Sequence, residues 1–451
     1  MTQVDGEEFA QRRCRLLEAM EPGSIALVPG AAMQRRNRDI DFAFRQDSDL
    51  LYLCGFDEPD ALLVLVPERG HGEAILFCRD RDARAEQWDG QICGPERAAE
   101  RFGLDDGFSI AELDNILPAL LEGRSRIYLT MGEYPAFDQR LLGYVATIRR
   151  REAGGALPPA EFVSLKHVLH EQRLVKSDSE LDLIREAVNI SATAHTRAMR
   201  NCHPGMMESQ LEAELVYEFM RGGARHCAYP SIVGGGANAC VLHYTDNSST
   251  LQAGELVLID AGCEYRHYAA DITRTFPVDG VFSQAQRALY DIVLAANEAA
   301  IAECRPGAPF NAPHDAAIKV MVEGLLTLGL LQGAPAEIIA SGAYLQFCPH
   351  KSCHWLGLDV HDVGDYRLGN DWRPLQPGMV LTVEPGLYIA ADTSIYGNTQ
   401  HSKAAQSMFE ESKGTGIRIE DDVLITDTGC EVLSHGVPKT ADAIENLMRA
   451  S

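Results

Sequence analysis

The sequence predicts an α/β domain over residues 1–173 followed by an α+β domain over residues 174–451. Three observations predict it. Before His170, short apolar runs alternate with amphipathic stretches, the pattern of a layered α/β sheet. At Ser177 a serine stands three residues ahead of Glu180 and an apolar helical repeat begins, which opens a second run of long helices. Beyond it, the strand-like segments come in pairs joined by short turns, so they form antiparallel hairpins rather than crossovers. A chain of 451 residues is long enough to give each of two domains its own core.

In chain order, Ser24–Val28, Ala61–Val66, Ala74–Cys78 and Arg126–Thr130 read as strands, being short runs of aliphatic and aromatic residues. Pro95–Arg101 and Ile110–Leu121 read as helices between them. Gly154, Gly155, Pro158 and Pro159 mark a loop ahead of the domain boundary at His170–Lys176. The helix capped by Ser177 carries Leu181, Ile184, Val188 and Ile190 along one apolar side. Further helices cover Met207–Arg221, closed by Gly222 and Gly223, Ser283–Glu303, stopped by Pro306 and Gly307, and His314–Leu328. Strands follow at Leu256–Gly262, Ala269–Val278, Val380–Glu384 and Gly416–Thr426, and Asp392–Gly414 reads as a polar loop near them.

Composition excludes several classes of function. Forty basic residues against 65 acidic ones leave a formal charge of −25, which phosphate backbones and anionic membranes repel, so neither nucleic acid nor membrane is expected as a partner. Asp5, Glu7 and Glu8 stand where a signal peptide needs positive charge, and Ala61–Val66 is far too short to span a bilayer. Twelve cysteines are scattered from Cys14 to Cys430 without a CxxC pair, which fits reduced thiols and a cytoplasmic protein.

Chemistry concentrates in four segments of the second domain. In Leu256–Asp271, two strands flank a turn near Tyr265–Arg266, and a hairpin symmetric about that turn sets Asp260 opposite Asp271. Facing carboxylates repel unless protonated or bridged by cations, although an aspartate at a strand end also caps turns. His350, His354 and His361 crowd one segment of a chain with fourteen histidines, which weakens the reading of packed or surface histidines without settling it. Glu384 ends an apolar strand directly before Pro385 and Gly386. In Gly416–Thr426, Arg418, Glu420 and Asp422 share one strand face and Ile417, Ile419 and Asp421 the other. Arg418 there suits either a surface ion pair or the orientation of metal-binding carboxylates. Four carboxylates (Asp260, Asp271, Glu384 and Glu420) with one imidazole (His354) suit two divalent ions rather than a cysteine-rich structural zinc.

In this order and in the contexts IDAG, DITRTF, HWLGLDVHD, TVEPG and GIRIED, these residues resemble the pita-bread dinuclear metallopeptidases. That group includes methionine aminopeptidase, prolidase and aminopeptidase P. The similarity is greatest to the bacterial aminopeptidase P (Xaa-Pro aminopeptidase) type, and the segments RNRDIDFAFRQDSDLLYLCGFDEPDALLVL and VLHYTDN extend it across most of the chain. The resemblance implies an aminopeptidase P-type α/β domain over 1–173 and a pita-bread catalytic domain over 174–451. It also implies release of the N-terminal residue from peptides with proline second. Asp260 then binds one metal and His354 with Glu384 the other, while Asp271 and Glu420 bridge. Manganese is the expected ion, with zinc, cobalt or iron as other candidates.

The same resemblance makes His243 and His361 substrate and transition-state histidines, His350 and Arg418 pocket residues, and Glu384 the proton shuttle. A hydroxide between the metals attacks the carbonyl before proline, with His361 beside the developing oxyanion. It further implies a homotetramer in which Asp39 and Trp88 reach a neighbouring subunit's pocket to contact its substrate. A prolidase restricted to Xaa-Pro dipeptides, or a metal-free creatinase-like relative, is the competing expectation. Two departures from relatives concern pocket shape: Lys351 stands where several have glycine, and Cys353 replaces a small residue.

Overall fold

The structure is a computed structural model and describes residues 4–393 and 402–450. Among these, the residues up to Arg173 form one compact unit and those from Leu174 onward another. In the first unit, Ser24–Pro29 lies inside a six-stranded sheet, antiparallel to Leu62–Leu65 and parallel to Arg126–Tyr128. Ala74–Cys78 and Asp106–Ser109 extend one side and Glu161–Val163 the other, so the sheet is mixed. Leu113, Leu117 and Leu121, at helical spacing, and Leu141, Val145 and Ile148 cover Ile25, Leu27, Val64 and Phe77 of the sheet. The second of these helices, Pro135–Arg149, begins with proline at its first turn and has no counterpart in the elements expected from the sequence.

The second unit packs four long helices with small antiparallel sheets. The helix Asp178–Asn201 starts at the capping box expected from the sequence: the Ser177 side chain accepts from the Glu180 N–H, and the Glu180 carboxylate accepts from the Ser177 N–H. Ser283 and Gln286 repeat this device at the start of Gln284–Glu303. One sheet joins Ile232–Gly235, Leu256–Asp260 and Thr273–Pro277, and another joins Val380–Val383, Asp421–Ile425 and Cys430–Val432. An isolated bridge between Thr273 and Glu420 brings the carboxylate-bearing ends of the two sheets together. No helix among the described residues is long and apolar enough to cross a membrane.

Three expectations need correction. The first hairpin turns at Arg266–His267, where both residues have positive φ (49° and 73°), the backbone of a type I′ turn. Its register therefore sets Asp260 opposite Thr273 rather than Asp271. A shift of two residues keeps every side chain on its own face, so the two aspartates still share a face. Second, Gly416–Thr426 is not one strand: Thr415–Arg418 pairs with Gly386–Ile389, and Asp421–Ile425 pairs with Val380–Val383. The break at Ile419–Glu420 arises because the chain changes partners there. Third, within Asp392–Gly414 the segment Lys403–Ser412 is a helix capped by Ser402, with Ala405 and Phe409 buried on one side. Residues 394–401 of that stretch lie outside the described residues.

His195, fully buried in the Asp178–Asn201 helix, lies with its Nε2 2.9 Å from the Ala261 carbonyl, one residue from Asp260. Burial pushes its pKa down to about 4. An unfolded chain, with an ordinary imidazole near pH 6.5, takes up a proton that the native state refuses. Stability is therefore expected to fall as pH drops from about 6.5 toward 4, with about 3 kcal/mol of that loss due to this residue. Urea midpoints measured across that range should be less pH-sensitive in His195→Gln, and an unchanged slope would assign the loss to other groups.

Candidate metal centre

A cavity of about 150 Å³ in the second unit is lined by Asp260, Asp271, His354, Glu384 and Glu420, the five ligands expected from the sequence. His243, His350, His361 and Arg418 line it too, together with Leu242 and Lys351. Asp39 and Trp88 are not among its lining residues: both belong to the first unit, where Trp88 is 83% exposed. That exposure excludes ordinary core packing as the reason for a tryptophan at this position.

Each ligand candidate is held by its own device. Asp260 closes the Leu256–Asp260 strand, and the Arg418 guanidinium donates to its Oδ2 at 2.6 Å. Arg418 thus pairs across the sheets in a buried setting, which removes the surface-pair alternative. The Asp271 backbone N–H donates to Asp422 Oδ2 at 3.1 Å, so Asp422, on the face expected from the sequence, steadies the loop carrying Asp271. Glu420 accepts from the Thr273 hydroxyl at 2.6 Å, the residue opposite Asp260 in the corrected register. Glu384 directly follows the Val380–Val383 strand, and its N–H donates to the Ser352 carbonyl at 2.8 Å.

On the opposite face of the Asp421–Ile425 strand, fully buried Asp421 accepts from Arg274 at 2.7 Å and Lys439 at 2.8 Å. Although burial alone raises the Asp421 pKa, these two cations hold its carboxyl well below the usual range. The strand is thereby pinned from behind, while Glu420 lines the cavity and Asp422 holds the Asp271 backbone.

Electrostatics mark the front of the site as short of positive charge. Burial pushes Glu384 up to about 7, and burial together with the charges of Asp271, Glu384 and Asp260 raises Glu420 well above an ordinary glutamate. Asp271 is likewise raised, first by burial. The Tyr229 hydroxyl lies 2.6 Å from Asp260 Oδ1 and 2.5 Å from Asp271 Oδ1. One hydroxyl has one proton, so it serves only one of these carboxylates at a time. His354 is oriented by a 2.9 Å contact from Nδ1 to the Trp355 carbonyl, which turns Nε2 toward Asp271 at 3.3 Å and Glu384 at 3.7 Å. Burial opposes charge on this ring, but Asp271 and Glu384 outweigh it and hold its pKa at about 9.

Oxygen and nitrogen atoms of Asp271, His354 and Glu420 lie within 4.8 Å of one another, close enough to share one ion. A cation there would replace the missing proton at the Tyr229-linked pair and offset the repulsion that raises these carboxyls. The donor set therefore fits divalent metal.

The remaining residues expected from the sequence stand around this cluster. His361 meets the His354 ring edge-on, with centroids 4.5 Å apart, and burial followed by the His354 charge lowers its pKa. Its loop is anchored by the next residue: Asp362 pairs with Lys176 at 2.9 Å, both side chains 1% exposed. His350 Nε2 lies 2.9 Å from the Tyr388 hydroxyl, and burial lowers the ring's pKa to about 4. Arg418 also donates to that hydroxyl at 2.6 Å. Tyr229, Thr273 and Tyr388 are not recognisable from sequence, since a tyrosine or threonine carries no charge pattern that marks it. Pairing Asp260 with Thr273 in the correct register is the one signal that reveals Thr273.

The profile of metallopeptidase family M24 matches residues 182–427, more than half of the chain, and that of the aminopeptidase P N-terminal domain matches residues 9–128. The chain is 45% identical to the Xaa-Pro aminopeptidase of Escherichia coli strain K12, over 100% of this chain and 99% of the relative. It is 41% identical to that of Haemophilus influenzae, over 99% and 98%. Among solved structures, an aminopeptidase of Pseudomonas aeruginosa superposes with a TM-score of 0.95 at 51% identity, covering 100% of this chain and 99% of the other. Zinc-substituted E. coli aminopeptidase P in complex with product superposes with a TM-score of 0.94 at 44% identity, covering 99% of each chain. The pita-bread arrangement expected from the sequence is thus the one the chain adopts, and the chain belongs to metallopeptidase family M24, with an aminopeptidase P-type N-terminal domain ahead of its catalytic domain.

Proposed function

We propose that the chain is a metal-dependent aminopeptidase that releases the N-terminal residue from peptides with proline in the second position. The observation that carries this reading is one cavity joining four carboxylates, the imidazole of His354 and two further histidines, His243 and His361. Relatives named Xaa-Pro aminopeptidase across their full length support this specificity over a dipeptide-only prolidase. Retention of all five ligand types argues against a metal-free relative. Residues 1–173 form the N-terminal domain and 174–451 the catalytic one in this reading.

Two divalent ions, manganese foremost, would be held by Asp260, Asp271, His354, Glu384 and Glu420. Such ions, when bound, act as Lewis acids toward the scissile carbonyl. Glu384 would take the proton of the attacking water and return it to the departing proline nitrogen. His361 donates to the carbonyl oxygen as negative charge develops there, and His243 supports it from the same cavity. His350 and Arg418 form the substrate wall, tied together through the Tyr388 hydroxyl. The exposure of Trp88 supports a homotetramer in which Trp88 and Asp39 reach a neighbouring subunit's substrate. Twelve unpaired thiols support a reducing, cytoplasmic setting.

The test is metal analysis beside cleavage of Xaa-Pro-Yaa tripeptides and Xaa-Pro dipeptides. The expected result is release of the first residue from tripeptides, abolished by chelation and restored by manganese. Cleavage confined to dipeptides, or activity indifferent to chelation, overturns the reading.

A further inference from the structure

We propose that Lys351 makes this enzyme prefer peptides with a carboxylate on the leaving side, one residue beyond proline. The inference rests on the Xaa-Pro aminopeptidase reading above and adds a substrate preference to it. One arginine and one lysine line the cavity, Arg418 and Lys351. Arg418 is committed, donating to Asp260 at 2.6 Å, to Tyr388 at 2.6 Å and to Thr273 at 3.2 Å. Lys351 is not: its ammonium has no hydrogen bond or ion pair with any described residue, and the residue is exposed. In a chain with 65 acidic residues against 40 basic ones, a lysine beside a carboxylate-rich cavity that still lacks an acidic partner is notable. Its backbone is fixed, because the His350 ring lies 2.8 Å from the Lys351 carbonyl.

Charge decides which end of the peptide it meets. The free amino group of an aminopeptidase substrate is cationic, so a lysine near it repels, whereas the carboxylates of the cavity attract it. The ammonium of Lys351 is therefore useful only toward the departing fragment, beyond the proline ring. Its field reaches the Ala312–Thr327 helix, where burial first and the Lys351 charge second lower His314 to about 4. That carboxylate is either the C-terminus of a tripeptide or the side chain of an acidic third residue, and both present the same group to the ammonium.

The experiment measures kcat/KM of the metal-loaded enzyme on Ala-Pro-Ala, Ala-Pro-Ala-amide, Ala-Pro-Asp-amide and Ala-Pro-Lys-amide. The ratio of each charged peptide to the neutral amide is compared among wild type, Lys351→Arg, Lys351→Met and Lys351→Glu. We expect wild type to favour the carboxylate peptides by about five-fold, the scale of a solvent-accessible ion pair. Lys351→Arg should retain the ratio, Lys351→Met should bring it near one, and Lys351→Glu should reverse it in favour of Ala-Pro-Lys-amide. Raising the salt concentration should narrow the wild-type ratio. A preference for Ala-Pro-Ala without one for Ala-Pro-Asp-amide assigns the carboxylate to the peptide terminus, and the converse assigns it to the side chain. Ratios that are the same in all four enzymes overturn the role of Lys351 while leaving the Xaa-Pro reading intact. Failure of wild type to cleave any of the peptides overturns both.

Discussion

Asp271→Ala protein is expected to bind divalent metal too weakly to retain it through gel filtration, and to lose turnover by on the order of 10⁴-fold, the scale for removing one member of a catalytic unit. Asp271 stands at the centre of the cluster, 3.3 Å from His354 Nε2 and 2.5 Å from the Tyr229 hydroxyl, and contributes to the three-residue grouping able to hold one ion. In the proposed arrangement Asp271 is shared between two ions, so its loss would affect both together. Stability separates this from a folding defect. The Asp271 carboxyl is raised by burial and by Asp260, so removing it relieves repulsion in the metal-free protein. The metal-free variant should therefore melt no lower than metal-free wild type. Only wild type should then gain stability on adding manganese, because a ligand stabilises the state that binds it. A variant that keeps two tightly bound ions and the wild-type rate would remove Asp271 from the site.

His361→Ala should lower kcat by about 10²-fold or more while both ions stay bound, the usual loss when an oxyanion donor or general acid is removed. The proposed set of five ligands is complete without it, and its ring meets the His354 ring edge-on with centroids 4.5 Å apart. The residue is accessible, whereas the structural burden of its loop falls on the buried Lys176–Asp362 pair one position on. Removing the imidazole should then leave the melting temperature nearly unchanged. A variant that is folded and metal-loaded, with near-normal kcat, would transfer the oxyanion role to His243.

Much of this site is legible in the amino-acid sequence alone, and the reason is chemical. Carboxylates at strand ends and three histidines in one short segment are costly placements in a globular chain, so they stand out against the apolar runs around them. The capping box at Ser177 and the glycine pair after Arg221 are local devices whose partners lie within a few residues, so the helices they bound are readable too. The sequence also assigns Arg418, Glu420 and Asp422 to one face and Asp421 to the other, since alternation along a strand needs only the backbone. Even the break at Ile419–Glu420 leaves that alternation intact: Arg418 and Glu420 line the cavity while Asp421 turns to Arg274 and Lys439.

What only the tertiary structure decides depends on contacts between distant segments. Whether the hairpin turns at Tyr265–Arg266 or at Arg266–His267 is a matter of backbone conformation at two residues with positive φ, and no hydrophobic pattern distinguishes the two. That choice sets Thr273 opposite Asp260 and so within reach of Glu420. Tyr229, which spans Asp260 and Asp271, and Tyr388, which links His350 to Arg418, are ordinary aromatic residues in sequence. They become part of the site only because folding buries their hydroxyls beside charges that need them. Residue types and spacing are enough to pick out the five candidate ligands that line the cavity, because metal chemistry restricts which side chains serve. Their orientation is not fixed in the same way, because hydrogen bonds between segments more than a hundred residues apart, such as Arg418 to Asp260, exist only once the chain has folded.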